Sequence, residues 1–186
     1  KLFFEEYKGV FSILCDELTR QTKDRPWAHD YALQFLNRSM FLYFIQRKGW
    51  LGGDREFLRS FWESYRHSGP RKDSFVDKWL KVLFFQAFNN RFHGGHPQFP
   101  ENIRQALAFA PFLNGGLFSE NALDRQQDAM ISDKCFGEVF KFLERYNFTI
   151  AEDSPLDQEV AVDPEMIGKV YLNFRRFQAG QVARCR

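Results

Sequence analysis

The sequence predicts a mainly α-helical fold, a multi-helix bundle, and three observations favour it. First, residues 27–51 carry apolar side chains around most of a helical circumference. Second, several shorter stretches repeat apolar residues at spacings of three and four. Third, aromatic residues make up 18% of the 186 residues, which is enough for a thick core. We therefore expect one domain, or most of one, and we exclude disorder over most of the chain.

The stretch 27–51 is predicted to be the central helix. A helix that is apolar nearly all round lies either in a protein core or in a membrane. A membrane span needs about 20 predominantly apolar residues, and Asn37 and Arg38 interrupt this stretch near its middle. We therefore expect a core helix without membrane contact, which the glycines from Gly49 onward bring to an end.

Arg38 is the unusual residue of this helix. A guanidinium in an apolar environment costs several kcal/mol unless a carboxylate or carbonyl groups receive it. Two interpretations stay open from the sequence. Arg38 either forms a structural ion pair with a neighbouring helix or reaches out to a phosphate or another domain.

The other predicted elements follow from periodicity, caps and turn residues. Amphipathic helices are predicted over 2–18, 54–67, 73–88, 103–109, 133–143 and from Asp163 onward. A short β-strand or hairpin is predicted near 112–118, around a glycine turn, and near 146–150, where apolar and polar residues alternate.

No residue of this sequence is predicted to be catalytic, to bind a cofactor or to bind a metal. Glu6 and Lys8 have the spacing of the end of a nuclease motif, but they lie on a predicted helix without an upstream acid. His93 and His96 are close in sequence, yet a zinc site needs a third ligand and an ordered frame. The three cysteines are scattered along the chain, which is typical of reduced thiols.

Charge is unevenly distributed along the chain. Residues 38–104 contain 12 Lys/Arg against 6 Asp/Glu, whereas residues 120–165 contain 4 against 12. Either the first half faces nucleic acid, or the two halves attract each other within one fold. The turn that contains Arg66, Arg71 and Lys72 is the best candidate for contacts with a DNA backbone. The alternative is a solvated basic surface.

Five segments together resemble the helical region upstream of the methyltransferase domain in type IIG restriction enzymes, which join an endonuclease and an adenine-specific DNA methyltransferase in one chain. In order, they are residues 36–38 with 41–51, 83–89, 111–118, 146–150 with Glu152, and 163–171. The resemblance spans residues 36–171. It departs from the family after Tyr171, since Leu172 stands where an acid is usual and the sequence from Phe174 does not lead into a methyltransferase.

The resemblance implies which domains, cofactors and partners the parent enzyme has. In such enzymes the nuclease precedes this region, and the methyltransferase follows it with Gly-x-Phe-Tyr-Thr-Pro and Asn-Pro-Pro-Tyr motifs, none of which occurs here. S-adenosylmethionine and a divalent metal are implied for the parent enzyme and not for this fragment. Implied partners are double-stranded DNA and the adjacent nuclease and methyltransferase domains, in the cytoplasm of a prokaryote. We expect one helical connector domain over 1–172 and a frayed basic tail over 173–186, and leave open whether this tail is native.

Three function hypotheses follow from the sequence. The first is a non-catalytic connector that couples the two catalytic domains and contacts the DNA backbone. The second is a stand-alone helical module that binds a partner protein. The third is an enzyme of another kind, which nothing in the residue pattern favours.

Overall fold

The computed structural model describes residues 2–113 and 116–146, and within them it contains seven α-helices and no strand. The helices are α1 (Leu2–Thr22), α2 (Arg25–Arg47), α3 (Phe57–His67), α4 (Lys81–Phe85), α5 (Glu101–Ala108), α6 (Ala122–Gln126) and α7 (Asp133–Glu144). A π-helical turn, Val76–Leu80, leads into α4, and a 3-10 turn, Ala87–Asn89, follows it. The prediction of a mainly helical bundle is confirmed. None of the described helices is long and apolar enough to cross a membrane.

Helix α2 is central to the described fold because it contacts α1, α3, α6 and α7. It begins where the Asp24 side chain accepts a hydrogen bond from the Trp27 backbone N–H at 3.0 Å, with Pro26 in the first turn. Fourteen of its residues are buried, which explains why its apolar residues are not confined to one stripe. The helix ends at Arg47, and Gly49 follows with a positive φ of 72°.

An aromatic cluster joins α3, the π-helical turn and α7. The Phe61 ring centroid lies 5.2 Å from that of Trp79 and 5.6 Å from that of Phe75. On α7, Phe136 lies 4.6 Å from Phe75 and 5.0 Å from Trp62. Each fully buried phenylalanine contributes about 1.5–3 kcal/mol of transfer free energy, and this cluster forms part of the thick core that the aromatic composition predicts.

The segment 73–88 differs from the single helix that its apolar pattern predicts. The chain passes from the π-helical turn to α4 and then to the 3-10 turn, which Asn90 follows with a φ of 53°. The apolar pattern does not distinguish these helix types, because segments of 5, 5 and 3 residues are too short for their different periods to show.

The predicted strand near 112–118 is wrong for the part that is described, 112–113 and 116–118, which contains a turn. The Leu113 N–H donates to the Phe88 carbonyl at 2.9 Å and the Ser119 N–H donates to the Gly116 carbonyl at 3.3 Å. Since these bonds go to a 3-10 turn and to the segment itself, no ladder forms there. The strand predicted at 146–150 and the helix predicted from Asp163 lie outside the described residues, apart from Tyr146.

The residues through Glu144 form one compact unit. The predicted boundary at residue 172 and the predicted tail 173–186 lie outside the described residues and stay predictions.

Candidate nucleic-acid interface

The three predicted DNA-contacting cations lie together around the turn that follows α3. Arg66 is in the last turn of the helix, and Arg71 and Lys72 follow a reversal at Gly69, whose φ is 63°. All three side chains are exposed. Among the described residues, none of the three lies within ion-pair distance of a carboxylate.

Hydrogen bonds to α7 hold the backbone of this turn in place. The Asp73 N–H donates to Asp133 Oδ2 at 3.1 Å, and the Asp133 N–H donates to Asp73 Oδ1 at 2.9 Å. The Tyr65 hydroxyl donates to the same Asp133 Oδ2 at 2.7 Å. Asp73 has a φ of 59°, a left-handed conformation that Asp tolerates better than most residues. The cations therefore extend from a backbone with a fixed shape.

The tyrosine in this network remains a hydrogen-bond donor at neutral pH. Burial raises the pKa of Tyr65 above its ordinary value, and its hydrogen bond to Asp133 acts in the same direction. Asp73 and Asp133 accept hydrogen bonds from backbone N–H groups and from Tyr65. Among the described residues, neither carboxylate forms an ion pair with Arg66, Arg71 or Lys72.

Arg38 lies in a buried ion pair with Asp124 of α6. Its Nη1 and Nη2 atoms donate to Asp124 Oδ1 and Oδ2 at 2.7 and 2.9 Å, so the pair is bidentate. Its Nε donates to the Leu117 carbonyl at 2.6 Å, and Nη2 also donates to the Ser119 carbonyl at 3.1 Å. The two side chains are only 3% and 2% exposed. The structure thus places Arg38 in an ion pair and does not present it to a phosphate.

The carboxylate of this pair is also saturated. Asp124 Oδ1 accepts from Gln34 Nε2 at 3.1 Å, and Oδ2 accepts from the Asn121 N–H at 2.9 Å. Asn121 caps α6, since its side chain accepts from the Asp124 N–H at 3.3 Å. This capping box was missed from the sequence, although Asn121 and Asp124 have its three-residue spacing. The network fixes α6 and residues 117–119 to the middle of α2.

The two histidines of the loop 91–100 have different environments. His96 Nε2 lies 2.9 Å from Gln86 Oε1, and its ring stacks on Phe92 at a centroid distance of 5.4 Å. His93 is exposed. Within residues 2–113 and 116–146 no three His, Cys, Asp or Glu side chains are arranged to hold a metal ion.

Over 144 residues the chain is 35% identical to a protein of Methanocaldococcus jannaschii described as a "putative type II restriction enzyme and methyltransferase". The chain is similar to part of a restriction-modification protein. The match covers 76% of this chain but 12% of the restriction-modification relative, so the chain spans a small part of that protein's length. No family model matches the chain. No solved structure matches it either.

The five sequence segments resemble restriction-modification enzymes, and this relative supports a resemblance to that class of protein. The type IIG class and a position upstream of a methyltransferase belong to the proposal below.

Proposed function

We propose that this chain is a non-catalytic helical connector of a type IIG-like DNA restriction-modification enzyme. It couples the nuclease and methyltransferase domains and contacts the DNA backbone through Arg66, Arg71 and Lys72. The observation that carries this proposal is the 35% identity to a restriction-modification protein over 144 residues.

The internal packing of the described residues supports a connecting role. A connector must keep its shape if it is to fix the distance between two domains. The central helix α2 contacts four other helices, and the Arg38–Asp124 pair fastens a segment 86 residues away in sequence. These long-range contacts support the proposed role of the described unit as a spacer.

Catalysis belongs to other parts of the parent enzyme in this proposal. S-adenosylmethionine and the divalent metal bind to the methyltransferase and nuclease domains, and the substrate is double-stranded DNA. The parent acts in the cytoplasm of a prokaryotic cell. The connector positions the two catalytic domains and supplies positive charge for contacts with the DNA backbone.

The exposed cations support contact with the DNA backbone. Arginine and lysine side chains without carboxylate partners bind phosphates independently of base sequence. Three such side chains on a fixed turn fit a few phosphate contacts, which gives weak affinity. Binding should therefore depend steeply on salt and little on DNA sequence.

The experiment measures binding of this chain to a fluorescently labelled DNA duplex over a range of salt concentrations. Replacement of Arg66, Arg71 and Lys72 by Gln should weaken binding at low salt. It should also reduce the slope of log K against log[salt] by about 0.9 for each phosphate contact removed.

The matched control replaces Lys23, Arg91 and Arg125 by Gln. These exposed residues lie outside the turn, and their loss changes the net charge by the same amount. Equal weakening in both triple variants, or wild-type binding in the turn variant, would contradict a specific role for the turn.

A second candidate function is a stand-alone helical protein-interaction module, and exposed aromatic side chains favour it. Trp50 is 52% exposed, Phe109 83% and Phe112 61%. The turn that contains Trp50 lies against α5, because a Cβ added at Gly52 would be 3.1 Å from the Ala106 Cβ. Phe109 directly follows α5, so apolar surface accumulates at this end of the described unit. An adjacent domain of the parent enzyme or a separate protein would cover it.

A further inference from the structure

A groove of about 570 Å³ lies between α3 and residues 97–100. Ser60, Glu63 and His67 line its α3 side, at spacings of three and four that place them on one face of the helix. Gln98 lines the opposite side. Arg66 is not among the lining residues, but Ser68 is, so the groove borders the basic turn.

Two of the three serine hydroxyl groups that line the groove, those of Ser60 and Ser68, already use their hydrogens within the protein. Ser60 Oγ donates to Asp54 Oδ2 at 2.7 Å, and Ser68 Oγ donates to the Tyr65 carbonyl at 2.7 Å. A hydroxyl has one hydrogen and two lone pairs. Both oxygens are therefore left as acceptors toward a ligand.

The imidazole and the amide of the groove are arranged in the same way. His67 Nδ1 lies 2.8 Å from the Glu63 carbonyl, which only accepts, so Nδ1 carries the hydrogen and Nε2 of the neutral ring is an acceptor. Gln98 Nε2 donates to the Lys78 carbonyl at 3.3 Å. The Gln98 Oε1 atom is left as an acceptor.

The electrostatics of the groove favour positive charge. The Glu63 carboxylate is exposed, and among the described residues it forms no ion pair. The groove also lies at the C-terminal end of α3, which is the negative end of the helix dipole. Among the lining groups, the Glu63 carboxylate, the helix C-terminus and the acceptor oxygens of Ser60, Ser68 and Gln98 favour a cation over a phosphate.

We propose that this groove binds an ammonium or guanidinium group carried on an alkyl chain. The charged head donates hydrogen bonds to Glu63, His67 Nε2 and Gln98 Oε1. Pro97 and Pro100 have no N–H group and contribute apolar surface for the alkyl chain. Two sources supply this chemistry: an arginine or lysine side chain of a protein, and a free polyamine.

The test titrates the protein with arginine amide and, separately, with spermidine, and follows the NMR signals of the His67 ring and the Gln98 side-chain amide. Both amino-acid amides carry an acetyl group on the α-nitrogen, so that acetylated citrulline amide, which is similar in shape to acetylated arginine amide but uncharged, is the ligand control. Saturable shifts with either cation, absent with citrulline amide, are expected. A response to arginine amide alone indicates a protein side chain as the ligand, and a response to spermidine alone indicates a polyamine.

The variant Glu63→Gln removes the charge at an exposed position and should weaken cation binding by about fivefold, which corresponds to about 1 kcal/mol for an exposed ion pair. Glu120→Gln makes the same charge change at an exposed position outside the groove and should bind as the wild type does. Equal shifts with citrulline amide, no shifts with either cation, or unchanged affinity in Glu63→Gln would overturn the proposal.

Discussion

At the scale of single residues, the buried ion pair between Arg38 and Asp124 affects the stability of the fold. The four hydrogen bonds of the guanidinium all go to oxygen atoms, and both carboxylate oxygens accept twice. A buried pair of this kind is strongly destabilised when one partner is removed, because the other charge stays buried without compensation. Its net contribution relative to an apolar pair is much smaller.

We expect Asp124→Leu to lower the free energy of unfolding by about 3–5 kcal/mol. Arg38→Met should cost a similar amount, because it leaves the Asp124 charge unpaired. The double variant Arg38→Met/Asp124→Leu should recover much of the loss. Urea unfolding of the four proteins gives the coupling energy of this cycle. Additive losses in the double variant would show that the two charges do not compensate each other.

The sequence identified Arg38 as an anomaly but not its partner. A guanidinium in an apolar helix requires an acceptor, and this requirement is visible from the sequence. Asp124 lies 86 residues away among many acidic residues, and no local pattern distinguishes it. Carbonyl acceptors such as that of Leu117 have no sequence signature at all.

Buried tyrosine and cysteine side chains make stability depend on alkaline pH. Burial raises the pKa of Cys135, and a hydrogen bond to Glu17 raises it further. Burial likewise raises the pKa of Tyr43, helped by its hydrogen bond to Glu144. Since the folded pKa exceeds the unfolded one, the contribution of each group is complete below the unfolded pKa and is lost as pH rises toward the folded value.

The urea midpoint should therefore be constant near neutral pH and fall above about pH 8.5, where unfolded cysteines ionise, and more steeply above about pH 10, where unfolded tyrosines ionise. Each such group contributes about 1.4 kcal/mol per pH unit within its window. Cys135→Val should reduce the first part of the decline, and Tyr43→Phe the second. A midpoint that stays constant up to pH 11 would contradict this assignment.

At the scale of elements, two glycines can be compared by substitution with alanine, because one has a positive φ and the other lies in a helix. Gly52 has a φ of 66°, and a Cβ there would approach the Ala106 Cβ to 3.1 Å. Gly137 lies inside α7, and a Cβ added there would meet nothing within 4 Å.

We expect Gly52→Ala to destabilise the protein by about 1–2 kcal/mol, because the left-handed conformation is strained for alanine. Gly137→Ala should stabilise it by about 0.5–1 kcal/mol through helix propensity. Thermal unfolding of both variants measures the two effects. The same sign of shift in both would contradict the conformations described.

The sequence predicted the existence of elements better than their ends and types. The long apolar stretch predicted α2 because burial on most sides leaves few alternatives to a helix. The third helix begins at Phe57 rather than Asp54, since the Asp54 side chain accepts from the Glu56 N–H at 2.8 Å and holds a turn before the helix. The π-helical turn before α4 depends on tertiary packing around Trp79, which periodicity does not encode.

At the scale of the whole molecule, some basic residues of the first half form ion pairs with acidic residues of the second half, and others do not. Arg38 pairs with Asp124 and Arg59 pairs with Glu144, so opposite charges of the two halves meet among the described residues. Arg66, Arg71 and Lys72 stay unpaired there. Attraction within one fold therefore accounts for Arg38 and Arg59, whereas the proposed DNA contact concerns Arg66, Arg71 and Lys72.

The central proposal is that this helical unit connects catalytic domains of a restriction-modification enzyme. The most direct measurement is the sequence of the genomic DNA on either side of this coding segment. We expect a continuous downstream frame that encodes Phe-Tyr-Thr-Pro and Asn-Pro-Pro-Tyr motifs, with a nuclease frame upstream. A natural stop directly after Arg186, with no methyltransferase nearby, would contradict the connector and favour the stand-alone interaction module.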